Sequence, residues 1–138
     1  QSQSIDHTTL ASYELYHPST DSWATMPGMQ QQGSSHAMAV VSDGTTVFVV
    51  GGFDRGSSSH LASVERYDDV NRMWTVMTSL PSARNGLTLG VFQNNSLLAC
   101  GGIVASVVTS NCDVLLVDED RWVVRRHKYQ WRWRSLAT

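Results

Sequence analysis

Read for its apolar and polar positions, the chain is a succession of short apolar runs separated by polar turns. AMAVV (37–41) and TVFVV (46–50) flank SDGT, whose Gly44 can take a positive φ, and the pair predicts a hairpin. SVERY (63–67) alternates small, apolar and charged residues as a third strand. DDVN (68–71) turns the chain, and MWTVM (73–77) makes a fourth strand. Val47 to Val50 is apolar without alternation, which predicts a strand covered on both faces.

The same order of landmarks returns along the chain. Gly51-Gly52 recurs fifty residues later as Gly101-Gly102, and Tyr16 and Trp23 recur fifty-one later as Tyr67 and Trp74. Pro27 and Pro81 follow the tryptophans. A third copy is read with Val117 in the tyrosine place and Trp122 in the tryptophan place, its spacing cut from seven to five. One four-stranded sheet cannot cover both of its faces, but similar sheets stacked around an axis can, so the repeat predicts a β-propeller. Within it the tyrosines and tryptophans are packing residues between blades. The double glycines serve positive φ and close backbone approach rather than a phosphate, because no following Lys, Ser or helix supports a phosphate cradle.

Composition narrows the picture. The 138 residues are 41% hydrophobic and 16% charged, an ordinary globular balance, and no apolar run is long enough to span a membrane. Beginning at Gln1 without a Met or a leader, the chain reads as a processed chain or a fragment. Charge is uneven: residues 1–120 hold four basic and twelve acidic residues, whereas 121–138 hold six basic and none acidic. The tail VVRRHKYQWRWRSLAT (123–138) falls outside the repeat. It reads as foreign to the repeat or as a strand recruited to cover an edge, ahead of an element for anionic surfaces or nucleic acid. Cys100 and Cys112 lie among apolar neighbours and are expected to be buried free thiols. Asn94-Asn95-Ser96 matches a glycosylation acceptor but reads as a tight hairpin turn. The five histidines lack metal-ligand spacing, no nucleophile has a recognisable context, and neither catalysis nor a cofactor is expected. His36 reads as structural or loop-lining.

GGFDRGSSSHLASVERYDDVNRMWTVMTSLPSARNG (51–86) carries a closer likeness. Its Gly-Gly after the second strand, its Tyr–Trp spacing and its Pro-x-x-Arg turn resemble the kelch repeat, and GGFD, SVERYD and MW are similar to the BTB–kelch branch. The resemblance covers about residues 1–122 and implies an all-β partial kelch propeller of about two and a half four-stranded antiparallel blades: a half blade over 1–33, a full blade over 34–83 and a degraded blade over 84–122. Residues 123–138 remain a basic aromatic tail.

That branch implies a cytoplasmic protein-interaction module that recognises substrates for a cullin ubiquitin ligase. An actin-associated kelch protein is the alternative within binding modules, and a piece of a kelch enzyme (galactose-oxidase-like or sugar epimerase) the alternative outside them. In a four-stranded blade the loop from strand two to three opens on the same side as the linker between blades. The resemblance therefore implies a peptide-binding rim of Phe53, Asp54, Arg55 and Ile103 from the first loop class, with Arg84, Asn85 and, by counting back from the glycines, Ser35 from the second. Aromatic, amide and guanidinium groups there suit an acidic peptide or protein ligand. A partial ring also implies further blades or self-association. In the self-completing version, one copy's opening strands finish the degraded blade of another, and three chains close a ring.

Overall fold

The computed structural model describes residues 9–41, 44, 46–92 and 96–125. The Ser42–Thr45 turn apart from Gly44, the Asn94-Asn95 turn and the tail beyond Arg125 lie outside the described residues. Within them there is no α-helix, and so none long and apolar enough to cross a membrane.

Three antiparallel units follow one another. The first is a hairpin of β1 (Tyr13–His17) and β2 (Ser22–Met26). The second is a four-stranded sheet of β3 (Ala37–Val40), β4 (Thr46–Val50), β7 (Val64–Asp68) and β8 (Met73–Val76) in simple meander order. The third repeats that order with β9 (Thr88–Phe92), β10 (Ser96–Cys100), β13 (Cys112–Leu116) and β14 (Arg121–Arg125). Two-stranded ribbons, β5 (Phe53–Asp54) with β6 (Ser59–His60) and β11 (Ile103–Val104) with β12 (Val107–Val108), fill the loops between second and third strands. This is a partial propeller of two and a half blades.

The uninterrupted apolar run of β4 is covered on both sides, as its pattern requires. Val47 and Val49 pack with Tyr67, Trp74 and Met26 toward the first unit, joined by Tyr13 and Leu15. Phe48 and Val50 pack on the other side with Val64, Leu87, Leu97, Ala99 and Leu115, which belong to the second and third blades. The core therefore lies between sheets rather than inside one. The rings of Tyr67 and Trp74 sit 5.3 and 5.6 Å from Tyr13, so these two aromatics pack the second blade on the first unit, whereas Tyr16 is exposed.

A pair of polar anchors repeats with the aromatics. Trp74 Nε1 donates to Pro27 O at 2.8 Å, and Trp122 Nε1 donates to Thr78 O at 2.8 Å, each reaching the exit of the preceding blade. Glu65, buried on the third strand, accepts from the amides of Gln30 (2.7 Å) and Gln31 (2.8 Å) in the linker before its own blade. By register Asp113 holds the same place in the third blade, and it pairs with Arg84. Trp23 occupies the tryptophan position of the first unit, where no earlier blade stands among the described residues, and is 67% exposed. Met38, on the edge strand β3, is likewise exposed.

Three expectations are corrected here. The third blade is not degraded: β13 and β14 pair over five registered positions, and β14 runs to Arg125, past residue 122. Its own strands fill it, so it offers no vacancy for the opening strands of another copy. The residue facing Trp122 is Leu115, not Val117, which preserves the spacing of seven seen in Tyr16–Trp23 and Tyr67–Trp74. The landmark was displaced because the second-to-third loop is two residues shorter in this blade, Gly101 to Asn111 against Gly51 to Ser63. Finally, Cys100 and Cys112 are not free thiols. They face each other across β10 and β13 and form a disulfide, because the register puts them directly opposite.

Candidate functional site: a rim of loops on one face

The double glycines end β4 and β10 and let two backbones meet. Gly52 has φ +118°, and a Cβ there would stand 2.9 Å from Ser34 O; Gly102 has φ +95°, and a Cβ would stand 2.7 Å from Asn85 O. Only a residue without a side chain allows this approach. Directly after it, Phe53 N donates to Ser34 O (2.7 Å) and Ser34 N to Phe53 O (2.9 Å). One blade on, Ile103 N donates to Asn85 O (2.9 Å) and Asn85 N to Ile103 O (3.3 Å). Gly52 N to Arg84 O (2.9 Å) and Gly86 N to Ser35 O (2.9 Å) tie one blade's loops to the next. The two loop classes therefore form one continuous rim.

The bridge pattern also corrects an alignment. Ser34, not Ser35, is the counterpart of Asn85, and Gly33 stands in the place of Arg84. Counting back from the glycines failed because the first hairpin of the third blade is one residue shorter than that of the second, Ala37 to Val50 against Thr88 to Cys100. Ser35 matches Gly86 instead. Both take positive φ, +54° and +62°, and Ser35 is exposed.

Arg84 does not face a ligand. Its side chain is 1% exposed, its Nη2 pairs with Asp113 Oδ2, and its Nη1 donates to the carbonyls of Gly101 (3.4 Å) and Asn111 (3.3 Å). The guanidinium is an internal brace beneath the third-blade loop. A buried cation needs this set of partners, because an unpaired charge out of water costs several kcal/mol, about 3–5 when one partner is removed. An acidic peptide cannot reach it without breaking the pair.

Asp54 is also occupied. Its carboxylate accepts from Ser57 Oγ (2.7 Å), Gly56 N (3.0 Å) and Thr9 Oγ1 (3.1 Å). The Ser57 hydroxyl first, then the Gly56 amide, hold its pKa below the ordinary carboxylate value, against a smaller opposing effect of burial. It shapes the loop that presents its neighbours. Phe53 is half-buried with its ring 5.4 Å from His60, edge to face. Arg55 is exposed in the turn between β5 and β6. Asn85 has a buried Oδ1 without a hydrogen-bond partner among the described residues.

The third-blade loop adds residues that sequence reasoning passed over. Ala105 and Ser106 both have positive φ and turn β11 directly into β12, leaving Val107 67% and Val108 80% exposed beside Ile103. The signal was present in IVASVV (103–108), two apolar pairs around small residues, but it sat in a segment read only as a loop. The described rim thus offers Phe53, Ile103, Val107 and Val108 as apolar contacts, Arg55 as a cation and Ser35 as a hydroxyl. No three potential metal ligands cluster among the described residues.

A stack of four-stranded meanders, double glycines at the end of the second strand and a Tyr-to-Trp spacing of seven define a kelch-repeat propeller. In agreement, the Kelch motif family model matches residues 35–81. Over 72 residues the chain is 35% identical to Kelch-like protein 21 of Mus musculus, a stretch covering 51% of this chain and 11% of the mouse protein. Residues 35–81 thus carry a kelch motif, and the matched stretch spans about a tenth of the length of that curated relative.

Proposed function

We propose that this chain is a non-enzymatic protein-interaction module whose ligand is a peptide segment laid across the loop rim. The observation that supports this reading best is the exposure of Val107 and Val108 on a ribbon that the Asn85–Ile103 bridge joins to the rim. An apolar side chain left in water on a rigid, hydrogen-bonded platform is the pattern of an interface anchor. Because Arg84 is consumed by Asp113, the acidic feature once expected of the ligand falls to Arg55. The ligand is then a segment with an apolar anchor and a carboxylate placed to meet that residue.

Peptides selected from a random display library on the immobilised chain test the reading. Substituting Val107→Asp or Phe53→Ala should weaken the selected peptides about tenfold or more, matching the loss of a buried apolar contact of roughly 1.5–3 kcal/mol. Val70→Asp, at an exposed turn between β7 and β8 on the opposite side of the blade, should leave affinity unchanged. Selection of no peptide, or loss of binding only with Val70→Asp, would refute the rim. The likeness of GGFD, SVERYD and MW to the BTB–kelch branch supports the finer reading, substrate recognition for a BTB–kelch ubiquitin-ligase adaptor in the cytoplasm, over an actin-associated role. A BTB domain encoded upstream in the same gene is the expected finding, and its absence would return the cytoskeletal reading to the front.

A further inference from the structure

We propose that the Cys100–Cys112 disulfide is a reducible fastening for the third-blade rim loop, so that thiol redox state decides whether the Ile103–Val108 ribbon keeps its place. The consequence for ligand binding rests on the function proposed above; the fastening itself does not. In the second blade, the strand ends that close the corresponding loop are Val50 and Val64, paired in register and both fully buried in the core shared with the third blade. Apolar burial holds that loop shut. In the third blade the register puts Cys100 and Cys112 at those places. Both are only half-buried, and no further blade covers them among the described residues. A covalent bond stands where packing is lacking.

The bond closes Gly101 to Asn111, the segment whose amides hold the ribbon on the rim. Gly101 N donates to Asn111 O (3.0 Å), Thr109 N to Gly102 O (3.0 Å) and Ile103 N to Asn85 O (2.9 Å). Arg84 braces the two carbonyls that flank the cysteines, those of Gly101 and Asn111, through contacts of 3.4 and 3.3 Å. The segment has little else. Ile103, Val107 and Val108 are exposed, and Ala105 and Ser106 carry the turn at positive φ. Reduction by a dithiol breaks the S–S bond, delivers two electrons and two protons to form two S–H groups, and leaves the reductant as a cyclic disulfide. The closed loop then loses the constraint that offsets its chain entropy.

Hydrogen exchange on the full chain, with and without dithiothreitol, reads this directly. The amides of Gly101, Ile103 and Thr109 are expected to exchange about tenfold or more faster after reduction, while Gly51 and Leu61 in the second-blade loop keep their protection. A Cys100→Val/Cys112→Val chain should show the fast exchange in either condition. Should that variant not fold, the reduced native chain carries the comparison alone. Equal exchange in both redox states would overturn the proposal, as would equal loosening of both blades, which would mean a general staple. Two free thiols in protein purified without reductant would overturn it as well. Failure of the rim to bind any peptide would leave these readouts untouched.

Discussion

Removing the Asp113 carboxylate should be among the most damaging single changes available in this molecule. The Arg84 and Asp113 side chains are 1% and 4% exposed, so neither charge has water to fall back on. In Asp113→Ala, Arg84 would keep only its two long carbonyl contacts at 3.4 and 3.3 Å, and its Nε already lacks a partner. Stripping one member from a buried pair costs about 3–5 kcal/mol. Against a total of roughly 5–15 kcal/mol for a folded domain, that is a large fraction. The surface pair of Arg121 and Glu119 gives the contrast, with side chains 59% and 56% exposed at 2.7 Å. Glu119→Ala should cost about 0–1 kcal/mol, because solvent screens the exposed pair.

Urea unfolding reads the difference. With a slope of about 2 kcal/mol per molar urea, Asp113→Ala moves the midpoint down by roughly 1.5–2.5 M and Glu119→Ala by under about 0.5 M. Replacing both partners, Arg84→Met with Asp113→Leu, should cost less than Asp113→Ala alone, because no unpaired charge is left buried. A loss under about 1 kcal/mol for Asp113→Ala, or additive single changes, would mean that Arg84 is not the internal brace described.

The repeated indole anchors predict a graded series of phenylalanine substitutions. Trp74→Phe and Trp122→Phe each delete a donor to a linker carbonyl and should cost about 1 kcal/mol or more, whereas exposed Trp23→Phe should stay within about 0.5 kcal/mol, all read by thermal unfolding. An equal loss at all three would refute the assignment of these indoles to blade docking. The Asp54 carboxylate should make the first rim loop acid-sensitive. Its folded pKa is depressed, so its support is complete above the ordinary carboxylate value and is lost as pH falls through the lower folded value. Hydrogen exchange of the Gly56 amide should lose protection in that acid window and not near neutrality, and protection that persists to lower pH would remove the carboxylate from the loop's support.

What the sequence determined by itself is whatever depends on local pattern and on repetition. Val47 to Val50 demanded two covered faces, and the recurring Tyr, Trp and Gly-Gly demanded stacked sheets, because burial on both sides and close backbone approach restrict residue type wherever they occur. The fate of individual polar side chains was decided by tertiary structure. Arg84 was legible as a cation in a loop, but only its burial against Asp113, twenty-nine residues away, turned it from a ligand contact into a brace. Cys100 and Cys112 looked like buried thiols until strand register put them opposite each other. One residue fewer in a hairpin displaced Ser34 to Ser35 in the sequence alignment, and two fewer in a loop displaced Leu115 to Val117. A turn can change length without moving the strands it joins, so the strand pairing, rather than the count along the chain, keeps each position in place.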